Sequence, residues 1–214
     1  MRPRGRLGRL TRVAEFARRV PLEGVPSDED LVLALSQGRT DCLGVLVSRW
    51  EQPLYRFVYR LLERREDARD VCQETFLRVL RKAHEFKTGA RFSTWMYQIA
   101  LNLCRDRARR QKRWSHIVVA APADDDRPRE HAAPERADTH PDRALEREEA
   151  RSAVQNALSR LPSDQREVLL LKEYEGLKFR EIADVLGVPE STVKSRMYAA
   201  LDAMKVSLQA AGMR

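Results

Sequence analysis

The chain has 214 residues, of which 43% are hydrophobic and 34% are charged, and its formal net charge is +8. This length predicts one or two small domains, and the excess of positive charge favours a polyanionic partner. No apolar run approaches the ~20 residues that span a bilayer, and the three cysteines are too widely spaced for a disulfide framework or a zinc ligand pair. The composition therefore predicts a cytoplasmic protein with no membrane span.

Residues 1–26 form a basic N-terminal extension with a net charge of +5. Its apolar residues, such as Leu7, Leu10 and Phe16, are interleaved with arginines and never form the continuous apolar core of a signal peptide. We interpret this segment as a flexible or weakly helical extension, and the sequence assigns it no role.

Residues 27–113 carry a net charge of +6 and are predicted to form a unit of four helices. Ser27 is the predicted N-cap of the first, and the second runs from about Leu43 to Leu62. The third helix has an apolar stripe at near-ideal 3.6-residue spacing, made of Ala68, Val71, Cys72, Thr75, Phe76, Val79 and Ala83. Such a stripe predicts that one face of this helix packs into the core.

The third predicted helix also carries a mixed surface outside its apolar stripe. Asp70, Gln73, Glu74 and Leu77 lie together there, and we call them the docking patch. An exposed leucine beside carboxylates and an amide is typical of a protein interface. Taken alone, the same residues would also fit an ordinary solvated face.

The fourth helix is predicted to start at Ser93 as its N-cap, with Trp95 as a core anchor, and to become strongly basic between Arg105 and Arg113. Six positive charges in nine residues form an electrostatic site for phosphates. Tyr97, Gln98 and Asn102 lie on a less apolar side, next to a loop that carries His84 and Phe86. Because aromatic side chains stack on unpaired bases, the unit is predicted to bind single-stranded as well as duplex DNA.

Residues 114–143 have the composition of a flexible acidic linker, rich in proline and alanine, with a net charge of −3. They separate the first unit from a second one at residues 144–214. Neither unit has a glycine-rich phosphate loop, clustered carboxylates or histidines and cysteines at metal-ligand spacing. We therefore predict no cofactor, no metal site and no enzymatic activity.

Residues 179–197 have the pattern of a helix-turn-helix. Gly187 can take the left-handed conformation that ends the first helix, and Pro189 suits the first turn of the second. In the second helix, the predicted inward face consists of Val193, Met197, Leu201 and Met204.

The opposite face of that second helix carries Ser191, Lys194, Ser195 and Tyr198. Hydroxyl, ammonium and aromatic groups suit phosphates and base edges in a major groove, so this is the predicted recognition helix. The alternative is a helical hairpin whose polar side is merely solvated. Two caps, a glycine turn and the small Ala183 at the crossing point favour the helix-turn-helix.

Four motifs in this order resemble one protein family: 70–76 (DVCQETF), 92–102 (FSTWMYQIALN), 161–168 (LPSDQREV) and the helix-turn-helix. They are similar to the extracytoplasmic-function (ECF) sigma factors of the bacterial sigma-70 family, over residues 27–113 and 144–207. The resemblance implies an all-α fold of two small helical domains joined by a flexible linker. It also implies a protein that binds core RNA polymerase, recognises the minus-ten and minus-thirty-five promoter elements, and promotes promoter melting and transcription initiation.

The resemblance assigns roles to residues of this chain by position. The docking patch, Asp70, Gln73, Glu74 and Leu77, would bind the clamp helices of the polymerase beta-prime subunit. The minus-ten element would be bound by Phe86, Tyr97, Gln98, Asn102, Arg105, Arg109 and Arg110. The minus-thirty-five element would be bound by Lys178, Ser191, Thr192, Lys194, Ser195, Arg196 and Tyr198. Any anti-sigma factor would be a separate chain, since no His-x-x-x-Cys-x-x-Cys signature occurs.

Two departures from the family pattern limit this transfer. Many relatives have a basic residue where this chain has Ala199, and a serine cap where it has Pro189, so the preferred minus-thirty-five sequence cannot be transferred. A rival interpretation is a conventional helix-turn-helix transcriptional regulator with an N-terminal helical interaction domain. That interpretation explains residues 161–204 equally well, but it accounts for neither the basic helix nor the docking patch. An enzyme that acts on nucleic acid would need a metal set or clustered carboxylates.

Overall fold

The computed structural model describes residues 26–117 and 141–212, and these ranges fall into two compact units divided between Ile117 and Val118. All regular elements in the described ranges are helical, so the predicted all-α class is confirmed. In the same ranges, no helix combines the length and the apolar composition that crossing a bilayer requires. Residues 1–25 of the predicted extension and most of the predicted linker lie outside the described residues.

Within residues 26–117, the first unit has four α-helices and one short 3-10 turn. They are α1 (Asp28–Ser36), α2 (Cys42–Leu62), α3 (Arg65–Lys82), the turn Ala83–Glu85 and α4 (Phe92–Ile117). Helix α2 packs against the other three helices, and α3 also packs against α4. Three aromatic side chains at this junction, Phe57, Phe92 and Tyr97, are at most 1% exposed.

The acidic first turn of α1 binds α2 and the start of α4. The predicted cap is confirmed, because the Ser27 hydroxyl accepts the Asp30 N–H at 3.1 Å. Asp28 accepts hydrogen bonds from Arg49 at 2.7 Å and from the Trp50 indole at 2.9 Å, which ties α1 to α2. Glu29 accepts the Phe92 N–H at 2.9 Å.

The start of α4 therefore differs from the sequence prediction. The helix begins at Phe92, one residue before the predicted cap Ser93. The Glu29 carboxylate of α1 accepts the backbone N–H of Phe92, which would otherwise need a local N-cap side chain as its acceptor. A carboxylate 63 residues away in the chain leaves no local sequence signal.

An ion pair joins the start of α3 to the middle of α4. Asp67 is only 7% exposed, and it accepts a hydrogen bond from Arg107 Nε at 2.9 Å. The same guanidinium lies 3.4 Å from Asp70, and Arg64 lies 3.7 Å from Asp67. Arg107 is thus a structural residue that holds the basic part of α4 against α3.

The three cysteines are free and buried, as core residues would be. Burial, with a smaller contribution from Glu51, raises the pKa of Cys72 to about 12. Burial likewise raises the pKa of Cys42. Both thiols are therefore neutral at physiological pH.

Between residues 141 and 212, the second unit has α5 (Pro141–Arg160), α6 (Ser163–Leu169), α7 (Phe179–Leu186) and α8 (Glu190–Ala210), with a π-helical turn Leu170–Tyr174 after α6. Helix α8 packs against the other three. Gly187 has a φ of 67°, and its N–H donates to the Ala183 carbonyl at 2.9 Å, so the predicted left-handed end of α7 is confirmed. Pro189 lies immediately before α8.

The buried face of α8 differs from the sequence prediction at one position. Val193, Met197 and Ala200 are buried, but Leu201 is 44% exposed, so its predicted inward position is wrong. A residue eight positions along an α-helix is rotated by roughly 80°, whereas one seven positions along is rotated by only about 20°. Ala200 therefore continues the buried face that begins at Val193.

Candidate nucleic-acid interface

A groove of about 420 Å³ runs between α3 and α4 of the first unit. Its α3 side is formed by the whole docking patch with Val71 and Arg78, and its α4 side by Leu103, Asp106, Arg107 and Arg110. The sequence assigned the docking patch and the basic helix to two separate sites. The structure brings them together along one groove.

Both carboxylates of the docking patch form ion pairs with arginines. Asp70 is 3.4 Å from Arg107, and Glu74 is 3.1 Å from Arg78 and 3.8 Å from Arg81. Gln73 is exposed and Leu77 is 41% exposed. The patch therefore offers an apolar centre flanked by charges of both signs, which suits an amphipathic protein surface.

The basic part of α4 divides into structural and exposed arginines. Arg107 pairs with Asp67, and Arg105 is half-buried. Arg109, Arg110 and Arg113 are exposed. Arg109 also binds Asp106 and lowers the pKa of that carboxyl, chiefly through their hydrogen bond. The exposed arginines can reach phosphates, whereas Arg107 is already engaged within the fold.

Direct base contact by Tyr97 and Phe86, which the sequence predicted, is contradicted by their burial. Tyr97 is 1% exposed and lies edge-on to Phe57, with ring centroids 5.0 Å apart. Phe86 is 7% exposed, and its ring centroid is 5.3 Å from that of Trp95. Helix α4 packs against both α2 and α3, so its buried face is wider than a single stripe and includes position 97. Trp95 itself is only half-buried.

Four of the five other predicted minus-ten residues share one face of α4, whereas Arg110 lines the groove. Gln98, Asn102, Arg105 and Arg109 follow one another at spacings of three or four residues, which places them along one line of the helix. Gln98, Asn102 and Arg109 are exposed, and the loop 87–91 that precedes the helix is exposed as well. This line joins amide groups, which can bind base edges, to guanidinium groups, which can bind phosphates.

In the second unit, α8 presents an exposed line beside its buried face. Its members are Glu190, Lys194 and Tyr198, at spacings of four residues. Lys194 Nζ lies 2.7 Å from Glu190 Oε1, and Tyr198 is 64% exposed. The hydrogen bond to Glu190 raises the pKa of Lys194, so the ammonium stays charged at neutral pH.

Phe179, at the start of α7, lies beneath two cations. The ammonium of Lys194 is 5.8 Å from the centroid of its ring, and that of Lys172 is 5.0 Å away. Cation–π contacts of this length favour one orientation of each lysine. Phe179 and Glu190 were not among the predicted site residues. The i, i+4 spacing of Glu190 and Lys194 was a signal that could have identified the carboxylate.

The remaining predicted residues of the second unit differ in accessibility. Ser191, Ser195 and Lys178 are exposed, and Thr192 is half-buried. The Ser195 hydroxyl donates to the Thr192 carbonyl at 2.9 Å. Arg196 is half-buried, and its Nε lies 3.1 Å from Asp164, which fastens α8 to α6. Arg196 therefore has a structural partner, and its predicted contact with phosphate would have to compete with that ion pair.

Comparison with known proteins identifies the family. The family described as Sigma-70 region 2 matches residues 46–114, and Sigma-70, region 4 matches residues 151–204. The RNA polymerase sigma-H factor of Pseudomonas aeruginosa is 30% identical over 190 residues, covering 85% of this chain and 94% of that one. The ECF RNA polymerase sigma-E factor of Escherichia coli is 30% identical over 185 residues, covering 86% and 95%. The chain belongs to the ECF group of sigma-70 factors.

Two solved structures show the same fold. The structure of CnrH in complex with the cytosolic domain of CnrY has a TM-score of 0.63 and 25% identity, covering 86% of this chain and 99% of that one. RpoE of Bartonella quintana, solved with the anti-sigma factor NepR, has a TM-score of 0.60 and 21% identity, covering 76% and 94%. In this sigma factor, region 2 covers most of α2, all of α3 and most of α4, and region 4 extends from α5 into α8.

Proposed function

We propose that this sigma factor uses its two units as two separate promoter-reading modules on core RNA polymerase. The first, at residues 27–113, binds the polymerase and the minus-ten element, and the second, at residues 144–214, binds the minus-thirty-five element. Residues 114–143 serve as the tether between them. Binding of both elements directs the polymerase to promoters, and capture of the single strand promotes melting and initiation.

The observation that carries this proposal is the groove between α3 and α4. A docking patch centred on the exposed Leu77 forms one side, and Arg110 of the basic helix contributes to the other. In our proposal, Asp70, Gln73, Glu74 and Leu77 contact the beta-prime clamp helices. A conventional helix-turn-helix regulator needs neither this patch nor a polar line on α4, so the groove favours the sigma-factor role over that alternative.

The DNA contacts follow the exposed lines of the two units. Gln98 and Asn102 bind non-template bases of the minus-ten element, and the arginines at 105, 109 and 110 bind its phosphates. Lys194, Ser195 and Tyr198 bind the minus-thirty-five element, with Ser191, Thr192 and Lys178 at the edge of the contact. In this role the polymerase supplies the catalysis and the chain supplies recognition, so we assign the chain no enzymatic activity.

We further propose that the chain acts in the cytoplasm, where core RNA polymerase transcribes the chromosome. As a member of the ECF group, it is regulated by a separate anti-sigma factor.

The docking role is tested by combining Asp70→Ala with Glu74→Ala. We expect weaker binding to core polymerase, because both carboxylates line the groove and neither lies on the buried face of α3. Affinity is measured by competition between labelled wild-type chain and unlabelled variant for core polymerase. Circular dichroism melting checks that the variant is folded.

The matched control removes two other carboxylates of the same unit, with Asp41→Ala and Glu51→Ala. Both side chains lie outside the groove. Equal affinity of the docking-patch variant and the wild type would show that the patch does not bind polymerase. Equal loss in both variants would indicate a general effect of net charge.

A further inference from the structure

The first turn of the recognition helix carries a carboxylate and an ammonium that are held together. Glu190 and Lys194 are 2.7 Å apart, and their side chains are 43% and 48% exposed. They begin the exposed line of α8 that ends at Tyr198. In a helix-turn-helix, the N-terminal residues of the second helix are the ones that contact base edges in the major groove.

The pair has the hydrogen-bonding pattern that complements one G·C base pair. In the major groove, guanine presents the N7 and O6 acceptors, and the paired cytosine presents its N4 amino donor beside them. An ammonium donates to guanine, and a carboxylate accepts from the cytosine amino group. An adjacent donor and acceptor on one helix face can therefore bind both bases of the same pair.

We propose that Glu190 is a specificity-determining residue, and that Glu190 and Lys194 together recognise one G·C base pair of the upstream promoter element. This inference rests on the proposed minus-thirty-five role of the second unit. Lys194 offsets the repulsion between the Glu190 carboxylate and the DNA phosphates. Phe179, with its ring 5.8 Å from the Lys194 ammonium, positions the lysine from the α7 side.

A role in base recognition and a purely structural role of the Glu190–Lys194 pair predict different effects on DNA binding. An exposed i, i+4 pair that only stabilises its own helix contributes little, and because it contacts no base, its loss would affect binding to every sequence alike. A carboxylate that accepts from cytosine changes the preference at one base pair and leaves the others unchanged. Base preference, rather than affinity, is therefore the decisive measurement.

The experiment is a selection from a library randomised across the upstream element, using holoenzyme assembled from core RNA polymerase and the full chain. Wild type is compared with Glu190→Gln, which keeps the size of the side chain and removes its charge. We expect the wild type to enrich one G·C pair in a fixed orientation. In Glu190→Gln, discrimination at that position falls by about tenfold, as for the loss of one good base contact, while the other positions keep their preferences.

Asp202→Asn is the matched control, because it removes an exposed carboxylate from the same helix, three turns further along. It should leave every base preference unchanged. If Glu190→Gln leaves the preference unchanged, or weakens all sequences equally, the inference is overturned while the proposed function stands. If wild-type holoenzyme forms but enriches no upstream element, the minus-thirty-five role itself fails, and the inference fails with it.

Discussion

Tyr97→Ala should lower the free energy of unfolding of the first unit by about 3–5 kcal/mol, because it removes a large aromatic side chain from a close-packed core. Tyr97 is 1% exposed, and its ring packs edge-on against Phe57 and Trp50, with centroids 5.0 and 6.1 Å away. Loss of the ring leaves a cavity, because the helices that pack on two sides of α4 cannot move far enough to fill it. Such a loss is a large fraction of the total stability of a small domain.

Urea unfolding followed by tryptophan fluorescence measures this effect in the full chain. All three tryptophans, at positions 50, 95 and 114, precede the second unit, so the signal reports on the first unit alone. The matched variant is Gln98→Ala, one residue further along and exposed. Its unfolding free energy should change by less than about 0.5 kcal/mol, while holoenzyme carrying it binds a single-stranded minus-ten oligonucleotide more weakly. A Tyr97→Ala chain as stable as wild type but defective in DNA binding would restore the direct contact that burial argues against.

Combining Arg109→Ala with Arg110→Ala should weaken promoter opening at all promoters and flatten its salt dependence. Both guanidinium groups are exposed, and Arg109 lies on the same line of α4 as Gln98 and Asn102. Each phosphate contact on a single strand contributes about 0.7 to the slope of log affinity against log salt concentration. Loss of two contacts therefore lowers the slope by roughly 1.4 and lowers affinity at low salt by more than at high salt. Titration of holoenzyme with fluorescent promoter DNA at several salt concentrations gives both quantities.

Arg39→Ala with Arg56→Ala is the control, because it removes the same charge from exposed positions outside α4. It should leave the slope unchanged, since a phosphate contact releases counterions locally. A double arginine variant with the wild-type slope would mean that this part of α4 does not contact the DNA backbone.

Local patterns in the sequence predicted most of the fold. Gly187 and Pro189 mark the turn between α7 and α8 through their own backbone restrictions, and Ser27 with Asp30 marks the start of α1. Signals of this kind need no knowledge of distant residues. The helix order, the two-unit organisation and the turn between α7 and α8 could therefore be predicted from the sequence.

Contacts between residues that lie far apart in the sequence could not be predicted from local patterns. Tyr97 was predicted to lie with Gln98 and Asn102 on a less apolar side of α4, but a helix packed on two sides buries a wider face than one apolar stripe indicates. Arg107 belongs to the basic run 105–113 of the sequence, but in the structure it pairs with Asp67, 40 residues away. Arg196 likewise pairs with Asp164 on another helix. A run of charges in the sequence shows where arginines are abundant. Only the tertiary structure shows which of them form ion pairs with other helices and which remain exposed.

The measurement that tests the central proposal most directly is run-off transcription from a genomic promoter library with purified core RNA polymerase of the organism that encodes the chain. Core polymerase alone should start transcription at no defined site. Addition of the chain should produce transcripts from discrete start points that share two upstream sequence elements. Specific binding of the chain to DNA without polymerase, together with no new start points when polymerase is present, would contradict the sigma-factor proposal and favour a conventional helix-turn-helix regulator.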